Sequence, residues 1–299
     1  MPDPAQFRPL IELARREDLG PASDDVTSRL TIDENLIGVG TLLQKQVGIV
    51  CGLPMVQEIC RAYDERLRVE MIPGFHMEII EARYSDQKVT PLLRVRGPMR
   101  SLLAAERVIL NFLQHLSGVA ALTQRFVKRV EGSGALIVDT RKTLPGFRAL
   151  DKYAVLCGGG ANHRAGLYDH VLIKDNHLAA YPLKEMAAAV QKVVQQSRAE
   201  NPQRQIEVEV DNLDQLREVL RVEGVDFILL DNMDCPTMLE AVAMRDRSGR
   251  KGRLQLEASG GVTLETVRSI ALTGVERISV GLITHSAPAL DIGLDIELQ

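Results

Sequence analysis

The sequence predicts an α/β fold: a first unit built from a helix and strands, followed by an incomplete barrel of parallel strands. Three observations carry this expectation. After Gly132-Ser133-Gly134, six short apolar runs recur, each ending in polar residues or glycine. Helical segments separate most of them, which implies a parallel sheet with right-handed crossovers. The runs are short and evenly spaced, which suits a barrel better than an open sheet, but six runs leave the barrel incomplete or irregular. With 299 residues, 45% of them hydrophobic and 25% charged, the chain can hold one large α/β domain or a barrel with a smaller companion.

The elements follow in order. Phe7, Leu10, Ile11 and Ala14 recur at helical spacing, and Gly20-Pro21 ends that helix. Segments 36–50 and 67–96 mix Val, Leu and Ile with polar residues and read as strands, with turns at Pro73-Gly74 and Gly97-Pro98. A long helix is expected from about Leu102 to Arg129. Arg107, Asn111, Gln114 and Gly118 share one stripe of it, either a solvated face or an active-site or subunit-contact surface. The barrel strands are expected at Ala135 to Asp139, His170 to Lys174, Ile206 to Asp211, Phe227 to Asp231, Leu254 to Ser259 and Ile278 to Gly281. Helices are expected at Leu183 to Val194, Asp214 to Leu220, Thr237 to Met244 and Leu264 to Leu272.

Composition excludes several functions. A net charge of −4, the lack of a basic tail and the absence of Trp argue against nucleic-acid binding. No apolar run reaches the roughly 18–20 residues that span a bilayer, and Met1-Pro2-Asp3-Pro4 does not open a signal peptide. Cys51, Cys60, Cys157 and Cys235 form no CxxC pair and read as reduced thiols of a cytoplasmic protein. GxxxxGK[ST], GxSxG and HExxH motifs are absent, as is the acidic, hydroxyl-rich loop of the common phosphoribosyl-diphosphate binding fold.

Against this acidic background, the window Asp139 to His177 concentrates Arg141, Lys142, Arg148, Lys152, His163, Arg164, Lys174 and His177 among glycines. Such a cluster suggests a pocket for a strongly anionic small molecule. In parallel β/α folds the site forms at the carboxyl ends of strands. Those ends carry Thr140, Arg141 and Lys142, then Lys174 and His177, then Glu207 and Glu209, then Asp231. Ser259-Gly260-Gly261 and Val280-Gly281-Leu282 close the series. Glycines let backbone N–H groups approach phosphate oxygens closely. Glu207 and Glu209 alternate onto the same strand face, so pattern alone leaves open which one meets the site. His163-Arg164 follows a glycine run and reads as a loop that delivers a cation. His76, His115, His170 and His285 take the structural default, and Arg148 and Lys152 read as surface charges of a short helix.

These residues resemble the quinolinate phosphoribosyltransferase family. The likeness runs through Thr140-Arg141-Lys142-Thr143, Pro145-Gly146, His163-Arg164, Lys174-Asp175-Asn176-His177, Leu229-Leu230-Asp231-Asn232 and Glu257-Ala258-Ser259-Gly260-Gly261. It also takes in Glu106-Arg107 and the tail from Gly281 to Ile296. It covers nearly the whole chain, with small departures at Asp24, Leu144 and Asp151. It implies an N-terminal α/β sandwich domain (1–115, joined by the tail 288–299) and a barrel domain (116–287). It implies a homodimer, or an assembly of dimers, in which Arg107 reaches the neighbouring subunit's site.

The implied substrates are quinolinate and phosphoribosyl pyrophosphate with Mg²⁺, giving nicotinate mononucleotide, pyrophosphate and CO2. The resemblance puts Lys142, Lys174, Glu209 and Asp231 in catalytic roles. Arg141, Lys142, His163, Arg164 and Lys174 would line the anion pocket with Thr140 and His177 beside them. Glu209 and Asp231 would face ribose and metal, while Ser259 to Gly261 and Val280 to Leu282 would hold phosphate. The metal would not be held by the protein alone. Rival readings are a paralogue using another acceptor or serving molybdenum uptake, a non-enzymatic sensor of pyridine carboxylates or sugar phosphates, and another phosphate-handling barrel.

Overall fold

The computed structural model describes residues 1–72, 82–85 and 89–298, with the backbone alone for 82–85. The chain separates into two compact units: Met1–Gln124 with Thr143–Gly159 and Ser286–Gln299, and Arg125–Lys142 with Gly160–His285. Along the chain run α1 (Arg8–Leu19), α2 (Val26–Thr31), β1 (Ile37–Gln44), β2 (Gly48–Cys51), α3 (Met55–Tyr63), β3 (Arg68–Met71), β4 (Ala82–Ser85), β5 (Thr90–Pro98) and α4 (Met99–Val130). There follow β6 (Leu136–Val138), α5 (Arg148–Cys157), β7 (His170–Ile173), α6 (Asp175–Leu178), α7 (Leu183–Glu200), β8 (Gln205–Val210), α8 (Leu213–Val219) and β9 (Phe227–Asp231). Last come α9 (Cys235–Arg247), β10 (Gln255–Ser259), α10 (Val267–Ala271), β11 (Arg277–Ser279), α11 (Leu282–His285) and β12 (Ile292–Leu298).

In the first unit, antiparallel strands run in the order β12-β1-β5-β3, and β2 pairs separately with β4. α1 ends at Gly20, whose φ of 65° lies in the left-handed region that favours glycine. The tail reaches α4 as well: the Gln114 side chain donates to the Ile292 carbonyl at 2.7 Å. Gly118 lies against the Pro288 carbonyl, where a Cβ would collide. The expected stripe on α4 therefore divides. Gln114 and Gly118 contact the C-terminal segment, while Arg107 and Asn111 are exposed.

α5 packs in the first unit. Phe147 stacks on Phe112 with ring centroids 5.5 Å apart, and His115 Nε2 lies 2.7 Å from the buried Asp151. This packing explains two departures from expectation. Thr143–Gly159 groups with the first unit rather than the barrel, and the first division falls after Gln124 rather than His115. Lys152, read as a surface charge, is only 6% exposed, because residues 150–155 of this helix are all buried. The Pro73-Gly74 turn and His76 lie outside the described residues.

The second unit holds six parallel strands in the order β6-β11-β10-β9-β8-β7. Among the described residues β6 and β7 share no ladder, so the barrel is incomplete; Ala161 instead bridges Val138 on the outer edge of β6. Strand alternation sorts the side chains. Val208, Val210, Ile228, Leu230, Leu256, Ala258 and Ile278 form one buried apolar face. The other face carries Glu207, Glu209, Leu229, Asp231, Glu257, Ser259, Arg277 and Ser279, aligned across strands by the pairs Glu209↔Leu229, Leu229↔Glu257, Asp231↔Ser259 and Glu257↔Arg277. This second face is the barrel interior. The expected helix over 264–272 shortens to Val267–Ala271, because Thr263 and Thr266 bond each other in a turn ahead of it.

Candidate active site

The interior face opens at its carboxyl end into a cavity of about 620 Å³. It is lined by Thr140, Arg141 and Lys142 after β6, His163 and Arg164 from the loop before β7, and Lys174 after β7. Glu209, Asp231 with Asn232, and Ser259 with Gly260 and Gly261 line it from the ends of β8, β9 and β10. Six strand ends or loops thus converge on one space, as strand polarity requires in this architecture.

The cationic wall is set by local bonds. The Lys142 amide donates to Thr140 Oγ1 at 3.0 Å, shaping the turn after β6. The His163 amide donates to the buried Asp139 carboxylate at 2.9 Å, which ties the loop to the end of β6. The Arg164 amide donates to His163 Nδ1 at 2.7 Å. Among the described residues no carboxylate lies within salt-bridge reach of Arg141, Lys142 or Arg164. Burial, then the charge of Arg141, push the Arg164 pKa down. Like charges gathered on one cavity wall make a place for a multiply charged anion.

The opposite wall is acidic and open-backboned. Lys174 Nζ donates to Glu209 Oε2 at 2.9 Å. Asn232 Nδ2 donates to Asp231 Oδ2 at 2.8 Å, and the Asn232 amide donates to the Ser259 carbonyl at 2.9 Å. Gly260 has a φ of 98°, and a Cβ there would collide with the Asn232 side-chain oxygen. No other residue fits that close approach without moving the loop.

The structure resolves the open choice on β8. Glu209 lines the cavity, whereas Glu207 lies two residues deeper and fully buried. His163 Nε2 lies 3.0 Å from Glu207 Oε2 and 3.4 Å from Glu257 Oε1. Although burial works against charge on His163, the contacts with Glu207 and Glu257 push its pKa up to about 9. His170 stacks on His163 at 5.4 Å, and burial followed by the charges of His163 and Arg277 pushes its pKa down to about 4. Burial and the nearby Glu257 push the Glu207 carboxyl up. Against its own burial, Glu257 is held below the usual carboxylate range by His163 and Arg277.

Five expected positions are not brought into this cavity's lining. His177 is exposed, and its Nδ1 accepts from the Lys174 amide at 2.8 Å, so the ring caps α6. The Val280 amide is engaged by the Val138 carbonyl at 3.0 Å, continuing the link between β11 and β6. Gly281 and Leu282 lie one step beyond, where Gly281 packs beside the Lys142 side chain and the ring of His285. Arg107 is carried by the first unit, exposed on α4. Five lining residues were not among the expected site positions: Leu172, Leu229, Asn232, Glu257 and Ser279. Glu257 was findable by alternation, since it lies two residues before Ser259 on the same strand face.

Comparisons with known proteins agree over the whole chain. Residues 25–117 match the family model for the N-terminal domain of quinolinate phosphoribosyl transferase, and residues 119–295 match the C-terminal domain. The chain is 41% identical to the nicotinate-nucleotide pyrophosphorylase [carboxylating] of Mycobacterium leprae, over 97% of this chain and 96% of that one. It is 39% identical to the chloroplastic enzyme of that name from Arabidopsis thaliana, over 98% of this chain and 83% of that one. Among solved structures it is similar to NadC from Streptococcus pyogenes, with a TM-score of 0.85, 33% identity, and coverage of 100% and 99%. Nicotinate-nucleotide pyrophosphorylase from Ehrlichia chaffeensis gives a TM-score of 0.83, 38% identity, and coverage of 97% and 98%.

Proposed function

The chain belongs to the quinolinate phosphoribosyl transferase family, and from that premise we propose how its own residues carry the reaction. The protein transfers phosphoribose from phosphoribosyl pyrophosphate to quinolinate with decarboxylation, giving nicotinate mononucleotide, pyrophosphate and CO2, a step of de novo NAD biosynthesis. The observation that carries the residue assignment is the wall of Arg141, Lys142 and Arg164, without carboxylate partners among the described residues, facing Glu209, Asp231 and the Ser259-Gly260-Gly261 turn across one cavity.

Arg141 and Arg164 bind the quinolinate carboxylates, since a planar guanidinium can grip each with two bonds. Lys142 and Lys174 add compact charge for a carboxylate or for pyrophosphate. Thr140 and His163 complete this wall. Gly260 and Gly261 present backbone amides to phosphate, and Val280 to Leu282 extend that surface once substrate is in place. The ring nitrogen of quinolinate attacks the anomeric carbon as the bond to pyrophosphate breaks. Positive charge grows on the ribose, where Glu209 and Asp231 stabilise it. The 2-carboxylate then leaves as CO2, its bonding pair stays on C2 as a carbanion stabilised by the adjacent pyridinium nitrogen, and a proton adds at C2. The protein positions and neutralises charge, with no covalent intermediate.

Glu209 and Asp231 are oxygen donors suited to a hard cation. Mg²⁺ arriving with phosphoribosyl pyrophosphate would be held beside them and would screen the charge of the departing pyrophosphate. The working unit is a homodimer or an assembly of dimers, in which the exposed Arg107 serves the neighbouring subunit's site and His177 completes the approach to Lys174. Cys51, Cys60, Cys157 and Cys235 form no disulfide among the described residues, which supports a cytoplasmic location. Among the described residues no helix is long and apolar enough to cross a membrane.

The deciding experiment supplies quinolinate, phosphoribosyl pyrophosphate and Mg²⁺ and measures pyrophosphate and CO2 together. Equal release of both is expected, with little turnover of nicotinate. Pyrophosphate released with nicotinate but not with quinolinate would overturn the assignment.

A further inference from the structure

Behind the cationic wall lies a buried cluster to which the reaction above gives no role beyond His163. Arg277 is 9% exposed; its Nε lies 2.8 Å from Glu257 Oε2, and its guanidinium lies 4.4 Å from the Phe227 ring centroid. Glu257 is fully buried and reaches His163 Nε2 from one side while Glu207 reaches it from the other. These are close ion-pair contacts without hydrogen-bond alignment. They are therefore held by charge and packing more than by directional bonds.

Both nitrogens of His163 are engaged. Nδ1 accepts from the Arg164 amide, which holds the ring with its proton on Nε2, against the charging that the contacts with Glu207 and Glu257 favour. The same ring thereby fixes the backbone from which Arg164 extends. Moving the imidazole would move Arg164, one of the two guanidiniums assigned to quinolinate. Charge matters as well. Two fully buried carboxylates lie behind a wall that must attract a dianion, and Arg277 is the cation in contact with one of them. Without it Glu257 would keep His163 as its only salt-bridge partner among the described residues, and a poorly compensated buried charge is unfavourable.

We propose that Arg277 and Glu257 are positioning residues for quinolinate capture: they hold the His163 imidazole, and through it Arg164, while keeping the two buried carboxylates from opposing a dianionic substrate. This rests on the quinolinate reading above. It assigns specificity to residues that act through His163 rather than by gripping the substrate.

The test measures steady-state kinetics of Arg277→Met, Arg277→Lys, and the double variant Arg277→Met with Glu257→Gln, varying each substrate separately. Met can still pack on Phe227 without the charge. Arg277→Met is expected to raise the KM for quinolinate about tenfold or more, with the KM for phosphoribosyl pyrophosphate within about twofold. Arg277→Lys should restore most of the lost affinity. The double variant, which buries no stranded carboxylate, should return the quinolinate KM to within about threefold of the parent.

An unchanged quinolinate KM in Arg277→Met overturns the proposal, as does an equal rise in both KM values or a lowered melting temperature with normal kinetics. If Arg277→Met does not fold, the double variant decides alone: a quinolinate KM raised about tenfold there also overturns it. Failure of the unsubstituted protein to turn over quinolinate would instead defeat the functional reading, so the two failures are distinguishable.

Discussion

Lys174 and Glu209 hold each other at 2.9 Å, whereas Lys142 is exposed with no carboxylate in salt-bridge reach among the described residues. The two lysines therefore face substrate differently: Lys174 must be shared with a carboxylate, and Lys142 is available outright. Lys142→Ala is expected to cut nicotinate mononucleotide formation about 100-fold or more, with folding and assembly intact. Product assay alongside a melting curve checks this, and near-normal turnover would end the role given to Lys142. His170 supplies a pH dependence. Its folded pKa of about 4 lies below its ordinary value, so the unfolded chain takes up the proton first as pH falls. His170 thus contributes stability above about pH 6.5 that is lost as pH falls through about 4. His170→Gln should make the melting temperature fall less between pH 7 and pH 4.5, by a few degrees at this chain size. Equal slopes for parent and variant would show that His170 does not carry the effect.

At the scale of elements, β9 and β10 end in a knot where Asn232, itself at a φ of 52°, packs against Gly260. Gly260→Ala must move this turn, and the expected result is a KM for phosphoribosyl pyrophosphate raised about tenfold, with quinolinate affinity little changed. Separate titrations of the two substrates check it. This turn was legible in the sequence, because a glycine pair at a strand end has few other uses beside cations. The barrel strands were legible for a related reason: their outward faces are runs of Val, Ile and Leu that only burial on a sheet explains. What could not be read was pairing across the barrel. Glu207, Glu257, His163, His170 and Arg277 come from different strands and loops, and only strand register brings them together. Lys152 escaped for the same reason, since its burial follows from α5 packing in the first unit rather than from its neighbours in sequence. His177 lies three residues from Lys174, a spacing that also lets its ring turn back to cap α6, which sequence alone did not show.

For the whole molecule, a net charge of −4 coexists with a cationic wall, so the fold concentrates its positive charge where strand ends meet. If Arg107 serves a neighbouring subunit, mixing Arg107→Ala protein with Lys174→Ala protein should regenerate activity, up to about a quarter of sites per statistical exchange. Hybrids shown to form without any recovery would count against the shared site. The two-unit division also has a bearing on biosynthesis. β12 completes the first unit by pairing along β1 from Gly38↔Leu298 to Gln44↔Ile292, although the whole barrel is encoded between them. On the ribosome β1 therefore waits, one hydrogen-bonding edge open, while the barrel is translated. An open edge is a template for wrong partners. The nascent chain is thus most exposed to aggregation late in translation, and a stop codon shortly before Ile292 would leave an intact set of barrel strands attached to a sheet that cannot close its edge.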